Sequence, residues 1–336
     1  MRFGVFLGSS LAPGGAAILP SLVEQVQLME QLGYDVALLG ERHQRPDGYL
    51  ETLTTLAWLL ARTSRLRIGS GGFILPIHHP YRLAQQAASL DQASGGRLVF
   101  GVVLGYNQGD FAPFGVDSRE RAGRLVESLQ VIRRLWTGER VTHRGRFWTL
   151  EDVFIAPGPR RPSGPPVWIG AKVDTAIRRA AGLGDGWFAS ANDGLEALRR
   201  QVAVYREASA QAGKAPGEIV LLRDGLVADS AAAVRAALEG PLLAKYREYE
   251  GWKATSADAD RYAPSYAEAL PRLVAGSPAE CVEQVGRYAD LGVTTLVLRC
   301  QFPGMGHLDT MRGIERFGAH VMPRFRDVTQ PAGAAG

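Results

Sequence analysis

Three side chains that can do acid–base or electrostatic chemistry follow the short apolar run "VALLG", which predicts a buried strand over 36–39. They are Glu41, Arg42 and His43. A guanidinium keeps its positive charge, so Arg42 can stabilise an anion but cannot act as a base near neutrality. His43 is the candidate acid or base. Successive strand residues face opposite ways, so either Arg42 faces the site or a bulge turns His43 towards it.

A glycine cluster ends the next predicted strand, in the segment "RIGSGG". Gly71 and Gly72 follow Ser70 there and form either a flexible turn or a surface that a planar ligand can approach closely. The adjacent His78 and His79 precede a helix-starting proline. Metal binding would require further converging ligands, and the sequence has no HExxH or CxxC motif. A packing or capping role is therefore favoured for His79.

A candidate phosphate site lies in "PVWIGAKVDTAIRR". A strand over 167–169, the turn Gly170–Ala171–Lys172 and a helix from about Asp174 would present backbone N–H donors at a helix N-terminus. Lys172 and Thr175 can add a charge and a hydroxyl. The alternative is an ordinary connection between a strand and a helix.

Continuous apolar runs alternate with amphipathic segments along the whole chain. The predicted strands cover 3–7, 36–39, 66–69, 98–103, 167–169, 186–189, 219–227 and 295–299. The predicted helices cover 19–32, 50–62, 81–93, 118–136, 174–182, 195–212 and 278–291. Eight such strands alternating with helices predict an α/β fold, a (β/α)8 TIM barrel. Gly33, Gly182 and Gly292 are expected to cap three helices in the left-handed conformation.

Two insertions exceed the usual connections, one after strand four and one after strand seven. The first comprises a hairpin-like segment, 138–150, and a proline-rich turn, 157–166. The second covers 228–277 and would wall a pocket if it folds over the mouth of the barrel, although packing is the favoured role for most of its aromatic residues. Those aromatic residues are Tyr246, Tyr249, Trp252, Tyr262 and Tyr266. A single domain is expected over 1–326, with a flexible tail over 327–336.

The composition excludes several classes of protein. Of 336 residues, 46% are apolar and 21% charged, which favours a large buried core. The net charge of +4 is spread over many helices, so no nucleic-acid partner is expected. Cys281 and Cys300 are the two cysteines, which fits buried thiols in a reducing compartment. Because no signal peptide or apolar run of about 20 residues is present, we expect a cytoplasmic protein without membrane contact.

The segments "ILPIHHPYRLA", "LDQASGGR" and "GDFAPFGVD" together resemble the bacterial luciferase-like monooxygenase family. The resemblance continues through "ESLQVIRRLWTGERVTHRGRFW", "PVWIGA" and "AAGLGDGW" to "SPAECVEQVGRYADLGVTTLVLR". It implies a (β/α)8 barrel, a bound flavin or deazaflavin, and a homodimer.

The resemblance also implies roles for individual residues. Gly71–Gly72 matches a non-prolyl cis peptide that contacts the flavin ring. Glu41 matches the family's acidic residue, but Arg42 stands where a histidine usually follows, near the reactive edge of the ring. Many members have two histidines there, so His43 is the preferred acid–base residue. Tyr106 and Asn107 match the wall of the site. Leu104 replaces an arginine that luciferase itself has before a glycine.

Three functions remain open from the sequence. The preferred one is a monooxygenase that uses reduced FMN and O2 on a small organic substrate. Because the chain has no Walker loop and no strand–GxGxxG–helix fingerprint, a separate flavin reductase would supply the reduced flavin. The second is hydride transfer with the deazaflavin coenzyme F-420. The third is a non-catalytic flavin-binding accessory protein.

Overall fold

The structure, a computed structural model, describes residues 1–8, 18–45, 48–253 and 263–326, except the side chains of 251–253. The predicted flexible tail over 327–336, Tyr262 and the Trp252 side chain lie outside the described residues.

Twelve strands occur in the described residues, and the eight of them that were predicted agree with the predicted runs to within one residue at each end. They are β1 (Arg2–Leu7), β2 (Val36–Leu39), β3 (Arg67–Ser70), β4 (Phe73–Ile74), β5 (Leu98–Val103), β6 (Val141–Arg144), β7 (Thr149–Val153), β8 (Val167–Gly170), β9 (Gly186–Ala189), β10 (Glu218–Val227), β11 (Val274–Gly276) and β12 (Thr295–Arg299). Eight of these described strands form a closed parallel barrel in the order β1-β2-β3-β5-β8-β9-β10-β12, because β12 pairs with β1. The predicted (β/α)8 barrel is confirmed.

The seven predicted helices are present, and three more occur in the described residues. They are α1 (Ile18–Gln31), α2 (Thr52–Leu60), α3 (Pro80–Ala93), α4 (Arg121–Trp136), α5 (Asp174–Leu183), α6 (Leu195–Gln211), α7 (Ala231–Lys253), α8 (Tyr266–Ala269), α9 (Pro278–Asp290) and α10 (His307–His320). Helix α2 begins two residues later than predicted because the Glu51 carboxylate accepts the N–H groups of Leu53 and Thr54.

The core has two layers, as expected for parallel strands covered on both faces. Val36 and Leu38 of β2 pack inside the barrel with Trp168 of β8. Ala37 and Leu39 alternate with them and pack outwards against the helices. Both cysteines are buried free thiols, as predicted. No helix in the described ranges is long and apolar enough to cross a membrane.

Both predicted insertions are present. Strands β6 and β7 form the expected antiparallel hairpin between α4 and β8. The insertion after β10 is dominated by α7, followed by the short α8. It is not purely helical, because its last residues form β11, which pairs in parallel with β10.

Two of the three predicted glycine caps are confirmed. Gly33 and Gly292 have φ angles of 76° and 88°, in the left-handed region. The prediction for Gly182 was wrong, since α5 continues to Leu183 and ends at Gly184. Residue 182 is therefore an ordinary helical position.

Gly101 of β5 holds the third and fourth barrel strands close together, because a Cβ there would overlap the Ser70 carbonyl oxygen. We predict that Gly101→Ala lowers the free energy of unfolding by about 1–3 kcal/mol or more, since backbone must move to admit the methyl group. Gly182→Ala is the matched control. A Cβ at Gly182 meets nothing within 4 Å, so alanine should stabilise the helix by about 0.5–1 kcal/mol. Urea unfolding measures the free energy of unfolding of both variants, and equal changes would contradict the close strand contact assigned to Gly101.

Candidate functional site

Glu41 lies at the centre of a buried hydrogen-bonded cluster behind the ends of β2 and β3. Its side chain is 3% exposed. Its Oε1 atom lies 3.2 Å from Nε2 of His43 and 2.8 Å from Nε2 of His78. Its Oε2 atom accepts the N–H of Ile74 in β4. A buried carboxylate requires such partners, so Glu41 ties the end of β2 to the segment after β3.

The cluster shifts the proton affinities of its members. Burial alone would raise the pKa of the Glu41 carboxyl, but the His78 charge and the hydrogen bonds from His43, His78 and Ile74 outweigh it and lower the pKa to about 2. The hydrogen bond to Glu41 raises the pKa of His43 despite its partial burial. The His43 ring also packs edge-on against Phe114, at 4.8 Å between centroids. His43 is therefore held beside Glu41 by a hydrogen bond and by its contact with Phe114.

The segment 70–72 forms a bulge fixed on both sides. The Ser70 hydroxyl donates to the Gly101 carbonyl and accepts the N–H of Phe73, so it is engaged with backbone. A Cβ at Gly71 would overlap the Phe6 ring, and one at Gly72 would overlap the Val103 side chain. The expected cis peptide at Gly71–Gly72 was wrong. The bond is trans, and the chain makes the bulge through Gly72 at φ 147°, a conformation that glycine adopts without a Cβ clash.

Arg42 turns the opposite way from Glu41 and His43. Its guanidinium carbon lies 4.9 Å from the ring centroids of both Tyr106 and Tyr249. Its Nη2 atom donates to the Tyr249 hydroxyl oxygen at 2.8 Å. Tyr106 follows β5 and Tyr249 lies on α7, so Arg42 faces the carboxyl end of the barrel, where enzymes with this fold have their active sites.

Asp224 lies near the carboxyl end of β10, on the other side of the barrel mouth, and binds several side chains there. It is 1% exposed. Its carboxylate accepts from Lys245 Nζ at 2.9 Å, from Arg299 Nε at 2.5 Å and from the Tyr246 hydroxyl at 3.1 Å. Burial would raise the pKa of the carboxyl, but the Arg299 and Lys245 charges hold it well below its usual range. The cluster fixes α7 over the strand ends.

A second contact holds α7 against the other side of the mouth. Arg45, after β2, is paired with Glu248 of α7. Near it, the buried carboxylate of Asp110 accepts the backbone N–H of His43 at 3.2 Å. Burial raises the pKa of Asp110, and the Arg42 charge opposes that rise. The segment after β2 is thus bound to α7 and to the loop after β5.

The predicted phosphate site is an open helix N-terminus. The residue before α5, Val173, gives no side-chain cap and is 53% exposed, and Thr175 is also exposed. Lys172 lies beside it, with Nζ 3.2 Å from the Asp193 carboxylate and 35% side-chain exposure. Asp174 would repel an anion, but Arg200 pairs with it at 2.6 Å. Uncapped N–H donors and a nearby cation fit a phosphate group.

The two predicted halves of the cofactor site are adjacent. Gly72 and Gly170 flank the same Val103 side chain, since a Cβ at either would press on its Cγ1 atom. Ala171 belongs to the same turn, and its carbonyl accepts the Trp187 indole N–H at 2.8 Å. The residues present therefore fit a ring over the bulge and a phosphate at α5. Asn107 has a local role, because its side chain accepts the Gly109 N–H.

Other histidines have structural contacts. His79 precedes α3 without a side-chain capping bond, and its ring packs on Trp148 at 4.9 Å. Packing rather than capping is its role. In the described ranges no group of three or more His, Cys, Asp or Glu side chains could hold a metal ion.

Sequence reasoning missed several members of the site. His78 was not placed beside Glu41, from which it is separated by 37 positions in the chain. Asp224, Lys245 and Arg299 lie far apart in the sequence, and no local pattern connects them. Tyr249 was noted only as one of five aromatic residues in the second insertion.

We predict that Glu41→Gln lowers the free energy of unfolding by about 3 kcal/mol at pH 7, from the lowered pKa of Glu41. A depressed carboxyl pKa stabilises the fold above the unfolded value of 4.5, and this contribution is lost as the pH falls towards about 2. The deficit of the variant should thus shrink by more than half between pH 7 and pH 3, as measured by urea unfolding.

Glu283→Gln is the control for that experiment, because Glu283 is 73% exposed and pairs only with Arg287 on the surface in the described structure. Its expected effect is under about 0.5 kcal/mol. A Glu41→Gln deficit as small as this, or one independent of pH, would contradict the assigned cluster.

Comparison with known proteins agrees with this geometry. Residues 1–295 match the family model of luciferase-like monooxygenases. The chain is 37% identical over 187 residues to 4-hydroxyprotoasukamycin monooxygenase of Streptomyces nodosus subsp. asukaensis, covering 54% of this chain and 50% of the relative. It is also 30% identical over 313 residues to the F420-dependent glucose-6-phosphate dehydrogenase of Nakamurella multipartita, covering 88% and 90%.

A solved structure has the same fold. It is the oxygenating constituent of 3,6-diketocamphane monooxygenase from Pseudomonas putida, a Type II Baeyer–Villiger monooxygenase in complex with FMN. The TM-score is 0.79 at 19% identity, covering 96% of this chain and 98% of that one. Because the family model spans most of the chain, and the closed barrel agrees with it, this protein belongs to the luciferase-like monooxygenase family of oxidoreductases.

Proposed function

We propose that this protein is the oxygenating component of a two-component monooxygenase that uses reduced FMN and O2 on a small organic substrate. The observation that carries the proposal is Arg42, whose fixed positive charge lies in the mouth of the barrel between Tyr106 and Tyr249. Such a cation stabilises negative charge on a reduced flavin ring or on the substrate. Dehydrated surroundings make that stabilisation stronger than in water.

In this proposal each part of the cofactor has its own part of the site. Backbone at Ser70, Gly71 and Gly72 would support the ring. Gly170, Ala171, Lys172 and Thr175 would hold the phosphate at the start of α5, with Tyr106 and Asn107 along the wall. When bound, reduced FMN supplies the electrons with which dioxygen is activated for oxygen transfer. The chain itself orients the ring, excludes water and places Arg42.

The relatives support this choice. A monooxygenase is 37% identical over half of its own length, and a structure with the same fold is an oxygenating constituent in complex with FMN. A separate reductase as partner, a homodimer and a cytoplasmic location belong to the same proposal. The homodimer is tested by light scattering, where a mass near 36.3 kDa at working concentration would argue against it.

A second candidate is hydride transfer with coenzyme F-420, favoured by the dehydrogenase relative that aligns over 88% of this chain. Anaerobic titration with reduced FMN and with reduced F-420 separates the two. We expect reduced FMN to bind and to support oxygen-dependent turnover when an unrelated flavin reductase regenerates it. Binding of F-420 alone would overturn the proposal. Binding without turnover on a broad substrate panel would favour an accessory role.

Lys172 should contribute selectively to phosphate binding. We predict that Lys172→Met weakens binding of reduced FMN by about 3–10-fold, less than a fully buried charge-assisted bond would give, because Lys172 is partly exposed and paired with Asp193. Its effect on reduced riboflavin, which lacks the phosphate, should be within about twofold.

The control for Lys172→Met is Lys214→Met, since Lys214 donates to the Gly182 carbonyl at the opposite end of α5. Affinity for both ligands should stay unchanged there. Equal losses for FMN and riboflavin in Lys172→Met would place the phosphate elsewhere.

A further inference from the structure

Tyr249 is the residue through which α7 contacts Arg42 in the described structure. Its hydroxyl oxygen accepts from Nη2 of Arg42 at 2.8 Å, and its ring lies 6.4 Å from that of Tyr106, tilted by 32°. It is only partly exposed. The phenol thus lies beside the fixed cation at the carboxyl end of the strands, where substrate would enter.

Cations face Tyr249 from three elements. Arg42 follows β2, Arg299 ends β12, and Lys245 lies one turn earlier on α7 with its Nζ 5.6 Å from the Tyr249 ring centroid. The nearby carboxylates are engaged with other groups. Asp224 binds Lys245 and Arg299, Glu248 binds Arg45, and Asp110 accepts the His43 N–H.

This arrangement favours the ionised form of the phenol. Burial alone would raise the pKa of Tyr249, but the charges of Arg42, Arg299 and Lys245 and the Arg42 hydrogen bond lower it to about 8. Tyr246, three residues earlier, behaves in the opposite way. Burial and the Asp224 carboxylate, to which it donates, raise the pKa of Tyr246 well above its usual value.

Other groups near the mouth are less suited to proton transfer. Arg42 does not release its proton. His43 is held by Glu41 in the cluster behind the bulge. Burial and the Arg299 charge lower the pKa of Lys245 to about 8, but its side chain is only 5% exposed and its ammonium is bound to both Asp224 oxygens. Tyr249, in contrast, is partly exposed, and the surrounding cations stabilise its ionised form.

We propose that Tyr249 is the acid–base residue of this site and that it accepts the proton of a weakly acidic O–H group, a phenol or an enol, on the substrate. The substrate O–H bond breaks, the Tyr249 O–H bond forms, and the electron pair stays on the substrate oxygen as an anion beside Arg42. No oxidant takes part in this step. The substrate class rests on the proposed oxygenation, whereas the ionisation of Tyr249 does not.

The first test uses the full chain without cofactor. Tyrosinate absorbance near 295 nm is titrated from pH 6 to pH 11 for the wild type, Tyr249→Phe, Tyr246→Phe and Arg42→Met, with near-ultraviolet circular dichroism checking the fold. We expect Tyr249 to ionise near pH 8 in the wild type. That step should vanish in Tyr249→Phe, persist in Tyr246→Phe and move upwards by at least about one pH unit in Arg42→Met, which loses both charge and hydrogen bond.

A wild type without the step near pH 8, or a step that persists in Tyr249→Phe, would overturn the proposal. If Tyr249→Phe does not fold, the shift in Arg42→Met decides alone.

The second test is the pH profile of kcat/KM with reduced FMN and a phenol. In this test Tyr249→Phe should lose the limb of the profile near pH 8 and about 10²–10⁴-fold in rate. An unchanged profile overturns the role of Tyr249 and leaves the proposed oxygenation standing. No turnover in the wild type, with the step near pH 8 present, overturns only the oxygenation.

Discussion

The site depends on the neutralisation of one buried carboxylate, Asp224, by groups that come from other parts of the chain. A charged residue that is only 1% exposed is tolerated only if hydrogen bonds and opposite charges replace the hydration that it loses on burial. Arg299 is supplied by the barrel itself, but Lys245 and Tyr246 are supplied by α7. The helix is therefore held where those two side chains can reach the end of β10. Removing one partner of such a cluster costs about 3–5 kcal/mol, far more than a surface pair.

The position of α7 then determines the chemistry of the mouth. One turn beyond Lys245, the same helix brings Tyr249 against Arg42. On the other side, Glu41 fixes the bulge after β3 through the Ile74 N–H, leaving Arg42 to turn away from it. Two buried acids thus position a cation and a phenol between them. Both acids have pKa values far below the ordinary range, because each is surrounded by donors rather than by water.

Much of the barrel could be predicted from the sequence, because parallel strands buried on both faces are continuous apolar runs. The turn before α5 was also readable, since strand, glycine and helix follow each other within a few residues. The direction of the Arg42 side chain could not be predicted, because β2 ends at Leu39 and side chains alternate between the two faces only within a strand. The pairing of Asp224 with Lys245 across 21 positions has no local signature. The glycine cluster after β3 was recognised, but the cis peptide expected there from the resemblance was wrong, because the Gly71–Gly72 bond has the ordinary trans form of a non-proline peptide.

The anchoring of α7 by Asp224 is tested most directly by amide hydrogen exchange of Asp224→Asn. Asp229→Asn is the control, because Asp229 is 87% exposed and pairs with Arg316 on the surface. We predict that amides of α7 lose at least about tenfold in protection in Asp224→Asn while those of β1, β2 and β5 keep theirs, and that the control changes neither. Unchanged protection of α7 in Asp224→Asn would contradict this account, since the helix would then be held over the mouth by something else.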